Sequence, residues 1–265
     1  MRYGYIKSNL VDLWTAPKFN SERASQLLFG QPVRIEKERA GHYFVRLNSS
    51  YTGWVDKRFV ELISRAEYGS YTKGVNSFVI ASQAAIYDFN GRSRPAPFFV
   101  YYGSKLFTRS TKKGFARIIL PGKPGVLIKK SNLVPINRSS ARKVTGRELV
   151  GEASRFLGVP YLWGGVTAAG FDCSGLVQTI LARYGIAVPR DTKDQIRIGR
   201  KVARECITTG DLLFFKRHVG FAIGKSKIIH SSVGGGGVRI NSLVPDGPDY
   251  REDLEREFHQ ARRIL

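Results

Sequence analysis

A pattern of short strands and glycine turns is written twice in the first half of the chain. Gln26-Leu27-Leu28-Phe29-Gly30 leads into Val33-Arg34-Ile35, then Tyr43-Phe44-Val45-Arg46-Leu47, a turn at Asn48-Ser49-Ser50, Tyr51-Thr52-Gly53-Trp54-Val55 and Phe59-Val60. The same order returns in Phe99-Val100-Tyr101-Tyr102-Gly103, Phe115-Ala116-Arg117-Ile118-Ile119-Leu120, Gly125-Val126-Leu127-Ile128 and Leu133-Val134. Gly30 matches Gly103 and Gly53 matches Gly125, at nearly equal separations. Apolar and polar residues alternate in Val33-Arg34-Ile35 and Phe44-Val45-Arg46-Leu47, which is the period of a half-buried strand. Self-similarity of this kind means two copies of one small module. Short strands joined by glycine turns point to two small β-barrels.

The second half reads differently. Arg138 to Lys143 is basic and polar, as a linker would be. Thr145-Gly146-Arg147-Glu148 has capping-box spacing with Thr145 as N-cap, and Leu149, Val150, Ala153, Phe156 and Leu157 form an apolar face that Gly158 ends. A loop from Tyr161 to Phe171 then reaches Asp172-Cys173. Beyond it Leu176, Val177, Ile180, Leu181 and Tyr184 recur at helical spacing, with Gly185 as the stop. Only two cysteines occur in 265 residues, and Cys173 opens this helix. Asp172 can cap it by accepting N–H bonds. Unpaired N–H groups and the positive end of the helix dipole favour thiolate over thiol, and the thiolate is the nucleophile.

A nucleophile needs a proton partner. Arg217-His218-Val219-Gly220-Phe221-Ala222-Ile223 and Ile228-Ile229-His230-Ser231-Ser232 read as two strands joined by a turn at Gly224-Lys225-Ser226. Paired antiparallel, they set His218 beside Cys173 and His230 behind His218, giving nucleophile, base and orienter. Singly, a cysteine or a strand histidine is ordinary packing; the combination carries the chemistry. Cys206 reads as a passive thiol, and His42 and His259 as bystanders. Cysteine and histidine lack the close paired spacing of a zinc site, so no metal and no cofactor is expected.

Six pieces in order, Tyr161-Leu162-Trp163-Gly164-Gly165, Phe171-Asp172-Cys173-Ser174-Gly175-Leu176, Pro189-Arg190-Asp191-Thr192, Gly210-Asp211-Leu212-Leu213-Phe214-Phe215, His218-Val219-Gly220 and Ile229-His230-Ser231-Ser232, resemble the NlpC-type papain-like cysteine peptidases that cut bacterial cell-wall peptides. The resemblance covers roughly residues 140 to 265. It implies Cys173 as nucleophile, His218 as base and His230 as the orienting residue. It implies the Cys173 N–H and the Tyr161 hydroxyl as oxyanion donors. It places Asp172, Ser174, Asp191, Thr192 and Trp163 against substrate. A carboxylate does not bind a carboxylate, so Asp172 and Asp191 would act on amines or orient donors. The repeated modules are similar to bacterial SH3-like domains. The implied fold is α+β: SH3-like barrels at 1–66 and 67–138, then a papain-like catalytic domain at 139–265.

The tandem order is similar to γ-D-glutamyl-diamino-acid peptidases, which trim stem peptides bearing a free N-terminal L-alanine. That likeness implies a first barrel that blocks the cleft beyond the alanine, with specificity by exclusion. Tyr51 is the candidate barrel residue at the site, and Glu22, Glu36 and Glu38 are available to an ammonium group. Gln31 stands where related barrels often carry an acidic residue. The expected substrate is thus a muropeptide or peptidoglycan stem peptide, with meso-diaminopimelate and lysine both open. An envelope-anchored endopeptidase and a thioester-dependent acyltransferase are the alternatives.

The net charge of +22 suits attraction to an anionic polymer. Basic residues are nevertheless spread along the chain, as at Lys112-Lys113 and Lys129-Lys130, without a signature for base readout, so no nucleic acid is expected. No apolar run approaches the roughly 20 residues of a membrane span. The N-terminus lacks an apolar signal core, so a cytoplasmic monomer is expected unless a signal has been removed. Asp211 reads as structural, Gly234 to Gly237 as a hairpin loop, and the tail, with Leu254, Phe258 and Ala261, as a docked helix.

Overall fold

The computed structural model describes residues 1–87, 95–111, 113–136 and 144–265. They form two compact units, Met1–Ile136 and Asn137–Leu265. The expected linker, Arg138 to Lys143, the 138/139 boundary and Lys112 lie outside the described residues.

The first unit opens with β1 (Arg2–Ile6), β2 (Leu10–Trp14), β3 (Arg23–Leu28), β4 (Pro32–Arg39), β5 (His42–Arg46), β6 (Thr52–Asp56) and β7 (Val60–Ile63). They form one antiparallel sheet in the order β3-β2-β6-β5-β4-β1-β7. Helix α1 (Arg65–Gly74) follows, across the 66/67 boundary, and starts in a capping box at Ser64 and Glu67. Next come β8 (Ser77–Val79), β9 (Gln83–Tyr87), β10 (Pro95–Tyr101), β11 (Lys105–Leu106), β12 (Thr108–Ser110), β13 (Phe115–Ile118), β14 (Val126–Lys129) and β15 (Leu133–Pro135). These pair as β10-β9-β14-β13-β12 and β11-β8-β15.

The two sets repeat one hydrogen-bonding plan. The Gly30 N–H donates to the Ile6 carbonyl at 2.8 Å and the Gly103 N–H to the Val79 carbonyl at 3.1 Å. Both glycines have positive φ, 77° and 95°, which explains the residue type in each turn. The Lys7 N–H reaches Phe59 and the Ile80 N–H reaches Asn132, each acceptor ending a 3₁₀ turn between the last two strands. β4 is continuous with a bulge after Ile35, whereas its counterpart is split into β11 and β12. Hence one set is a single sheet and the other is two. Among the described residues neither set closes into a barrel. The match of Gly53 to Gly125 does not hold: Gly53 lies inside β6 against Leu13, and Gly125 is a turn residue with φ 78° before β14. Glycine serves close approach and positive φ alike, so its identity alone did not give the register.

Each set has its own core. Ile6, Leu13, Leu27, Val33, Ile35, Val45 and Val55 fill the first, each buried side chain contributing about 1.5–3 kcal/mol. Phe29, on the turn after β3, is buried instead with Val79, Ile86, Val100 and Ile128 of the second. Nearby the Tyr71 hydroxyl donates to the Gly30 carbonyl at 2.8 Å. This turn therefore ties the two sets together.

The second unit starts with α2 (Gly146–Ser154), whose Thr145–Glu148 capping box forms as the spacing predicts. The ribbon β16 (Val166–Thr167) and β17 (Gly170–Phe171) leads into α3 (Cys173–Arg183), then the short α4 (Thr192–Gln195). The sheet comprises β18 (Arg200–Val202), β19 (Leu212–Phe215), β20 (His218–Ile223), β21 (Lys227–Ser232), β22 (Gly237–Ser242) and, after the one-turn α5 (Glu252–Arg256), β23 (Gln260–Arg263). Its order is β18-β23-β19-β20-β21-β22, all antiparallel. The tail is therefore not one docked helix. Leu254, Phe258 and Ala261 do share a core, but β23 gains ladder bonds to both β18 and β19 that a helix would forgo. Asp211 is structural, with its carboxylate paired to Arg263 at 2.7 Å.

Candidate active site

α3 is buried along most of its length, with Leu176, Val177, Ile180 and Leu181 fully covered. It packs on β20, β21 and β16. A helix apolar on nearly every side belongs in the centre of a core, and this fixes where Cys173, its first residue, stands. The Gly164-Gly165 loop lies directly on the helix start: a Cβ on Gly175 would sit 2.1 Å from the Gly165 carbonyl oxygen. Only glycine permits that approach.

Asp172 organises the junction. Its Oδ1 accepts from the Gly175 N–H at 2.6 Å, capping α3, and its Oδ2 accepts from the Gly164 N–H at 2.9 Å. Arg190 grips the same carboxylate with two nitrogens, at 3.0 and 2.6 Å, and reaches the Ser174 hydroxyl at 2.9 Å. Ser174 in turn donates to Asp172 at 3.2 Å. Both Asp172 oxygens are thus occupied by groups of the protein. Arg190 is 4% exposed, so the pair is desolvated, and it is tolerable only because it is fully hydrogen-bonded. Gln195 closes the network by donating to the carbonyls of Ser174 and Pro189, at 3.0 and 2.9 Å.

The Cys173 sulfur lies 3.7 Å from the Thr192 hydroxyl oxygen. The backbone N–H groups of Ser174 and Val219 also favour its charged form. Burial outweighs them: it pushes the thiol up, and the Asp172 charge adds to the rise. This corrects the expectation from the helix terminus. The local dipole and amides do favour thiolate, but Cys173 is only 8% exposed, and losing water costs the charged form more.

The histidine hairpin forms as expected. β20 and β21 pair antiparallel, and His218 Nε2 lies 2.5 Å from His230 Nδ1. A side chain at Gly220 would strike the His230 Cβ at 2.8 Å, so the glycine after Val219 leaves room for the second ring. His230 is fully buried, and its Nε2 lies 2.8 Å from the Asn241 Oδ1 on β22. The His218 pKa is pushed down to about 3, chiefly by desolvation, then by the neighbouring His230 and Arg251. Burial lowers His230 too, against the Asn241 hydrogen bond. Burial thus favours the uncharged form of the Cys173 thiol and of both imidazoles.

Tyr161 is half-buried, and its hydroxyl is pushed well above the ordinary phenol range, chiefly by burial and further by its acidic neighbours Cys173 and Asp172. Its backbone pairs with Phe171 and with Gly236. Trp163 is 59% exposed. Asp191 caps the four-residue α4 through its backbone carbonyl, next to Thr192. Tyr51, on the first unit, is half-buried against the first core, and its hydroxyl donates to the Ala24 carbonyl at 3.3 Å. Glu36 is bound to Arg46, and Glu38 to Arg2 and Lys57. Gln31 accepts the Leu28 N–H at 3.1 Å in the turn. Sequence reasoning overlooked Arg190, Gln195 and Asn241 as parts of the site. For Arg190 a signal existed, an arginine beside Asp191 in an otherwise apolar approach to α4.

Residues 158–253 match the NlpC/P60 family, and residues 13–58 match the bacterial dipeptidyl-peptidase SH3 domain. A γ-D-glutamyl-L-lysine dipeptidyl-peptidase of Bacillus subtilis is 30% identical over 83% of this chain and 76% of its own length. One from Bacillus cereus is 29% identical over 97% of this chain and 83% of its own. The crystal structure of an NlpC/P60 family protein from Bacillus cereus superposes with a TM-score of 0.84 at 24% identity, covering 99% of both chains, and supports the fold. The sulfur at the start of a buried helix, the imidazole pair on the adjoining strands and these likenesses lead to one conclusion: the chain belongs to the NlpC/P60 family of cysteine peptidases.

Proposed function

We propose that this protein hydrolyses the γ-D-glutamyl–diamino acid bond of murein stem peptides that carry a free N-terminal L-alanine, in cell-wall turnover or recycling. The observation that carries the reading is the imidazole pair, 2.5 Å apart, on strands packed against the helix that Cys173 opens. The substrate follows from the γ-D-glutamyl-L-lysine dipeptidyl-peptidases it resembles over most of its length. Both strand sets of the first unit are read as SH3-like units on the strength of their shared hydrogen-bonding plan, with 1–66 and 67–138 as domains ahead of the catalytic one. Tyr51 remains the residue proposed to meet the substrate from the first.

The steps start from a neutral thiol and a neutral imidazole, the forms that burial favours. As Cys173 Sγ attacks the γ-carbonyl carbon, its proton passes to His218 Nδ1, and the S–C bond forms. The oxyanion is held by the Cys173 N–H, which has no helical acceptor, and by the Tyr161 hydroxyl, kept protonated by its surroundings. His218 then gives its proton to the departing amine as the C–N bond breaks. Water attacks the thioester, His218 takes a proton from it, and the sulfur leaves and is reprotonated. His230 orients His218 throughout. Asp172 and Ser174 serve by holding Arg190 and the helix start, while Asp191, Thr192 and Trp163 line the substrate side.

The test compares L-Ala-γ-D-Glu-L-Lys and its meso-diaminopimelate counterpart with the same peptides linked to N-acetylmuramic acid. Release of the diamino acid from the free peptides alone is expected. Equal cleavage of the linked forms would refute the requirement for a free amine.

A further inference from the structure

We infer that Asn241 is a positioning residue that sets the tautomers of both histidines, so that His218 Nδ1 is the unprotonated nitrogen. The inference rests on the proposed roles of Cys173 and His218. The argument begins at a backbone carbonyl. Asn241 Nδ2 lies 2.8 Å from the Asp249 carbonyl oxygen. A carbonyl only accepts, so the amide nitrogen must be the group that faces it. That oxygen is held in place by the loop: it also accepts from the Ser242 N–H at 3.3 Å, while Ser242 bridges to Tyr250 and Asp249 itself has φ 55°.

With the amide so turned, its Oδ1 faces His230 Nε2 at 2.8 Å. An amide oxygen only accepts, so His230 Nε2 carries the hydrogen. A neutral imidazole has one N–H, which leaves His230 Nδ1 as a lone pair. His218 Nε2, 2.5 Å away, must then be the donor. The same count leaves His218 Nδ1 without a proton, ready to accept one from the thiol. Reversing the Asn241 amide would reverse every step and put a hydrogen on His218 Nδ1, where no proton could be taken up. Asn241 is 6% exposed and His230 fully buried, so water does not offer a competing partner. The charged groups that bear on both rings, Arg251 and Asp253, are bound to each other at 2.5 Å.

The direct test is the ¹⁵N spectrum of the imidazoles of the full chain at neutral pH, assigned with His218→Ala and His230→Ala. Both rings are expected as the Nε2–H tautomer; either ring found as Nδ1–H overturns the inference, whatever the activity. Asn241→Leu should lower kcat by about 10- to 100-fold, with KM nearly unchanged and His218 split between tautomers. An unchanged kcat refutes the role. Should that variant not fold, Asn241→Asp keeps an acceptor at His230 and adds a charge that favours imidazolium. Its acid limb of kcat/KM should move up by about one pH unit, and a limb that stays put is equally fatal. Loss of turnover in Cys173→Ala tests the underlying reading separately, because the spectrum does not depend on it.

Discussion

The two cysteines of this chain occupy opposite surroundings. Cys173 is buried at the first position of an eleven-residue helix, between a threonine hydroxyl and two backbone amides. Cys206 is exposed at the end of a three-residue 3₁₀ turn, where its carbonyl accepts from Arg263. A helix terminus alone would make Cys173 the more acidic thiol. Burial opposes that and pushes the Cys173 thiol up, because the field of a few amides does not replace the water a thiolate loses. What sets Cys173 apart is its place beside Val219, the neighbour of His218, which is the proposed base. The comparison teaches that a helix terminus does not by itself make a buried thiol acidic, and it favours the proposed mechanism in which the proton leaves the sulfur during attack.

The largest expected effect tests that contrast. Cys173→Ala should lower kcat by about 10⁴-fold or more, with an unfolding transition close to that of the parent. Cys206→Ala should leave kcat within about twofold, as surface changes usually do. Diamino-acid release measures both; a comparable loss in the two variants would erase the distinction. Next comes the support beneath Cys173. Arg190→Leu leaves the Asp172 carboxylate buried without its cation and should cost about 3–5 kcal/mol in urea unfolding. A loss well under 1 kcal/mol would mean the junction is not held by this pair.

The pH dependence is sharper still. The folded His218 resists protonation down to about 3, against 6.5 for an ordinary ring. Between those values the unfolded chain binds the proton that the folded chain refuses. Stability therefore rises with pH through this window and falls on acidification from about 6.5. For catalysis the base stays available below the usual histidine range, so the acid limb of kcat/KM should lie clearly under 6.5. A limb at or above 6.5 would contradict the depressed His218.

Much of this site was legible in the sequence because its parts are local. Asp172 caps the helix three residues on, and His218 and His230 sit on adjoining strands joined by a glycine turn. The groups that escaped notice hold the functional side chains in place and carry no chemistry of their own. Arg190 is 18 residues from Asp172 and Asn241 is 11 from His230; the arginine beside Asp191 was a signal passed over, while Asn241 does not stand out where it occurs. The thiol's state was misjudged for a related reason: helix position can be read from spacing, whereas desolvation depends on everything packed around the sulfur. In the tail, three apolar residues at helical spacing masked a strand, because β23 is dictated by the ladder partners β18 and β19 offer.

The smallest expected effect concerns Thr192. Its hydroxyl, 3.7 Å from the sulfur, is one of the few groups that favour the charged form. Thr192→Val keeps the shape of the side chain and removes that hydrogen bond, whereas Thr192→Ser keeps the bond and removes a methyl group. A neutral hydrogen bond contributes about 0.5–1.5 kcal/mol. Alkylation of Cys173 by iodoacetamide near pH 8 should then slow by about two- to tenfold in the valine variant and stay near the parent rate in the serine variant. Cys206, labelled in the same sample, serves as the internal reference because Thr192 does not touch it. If valine and serine behave alike at Cys173, the hydroxyl does not stabilise the sulfur, and Thr192 acts on the substrate alone.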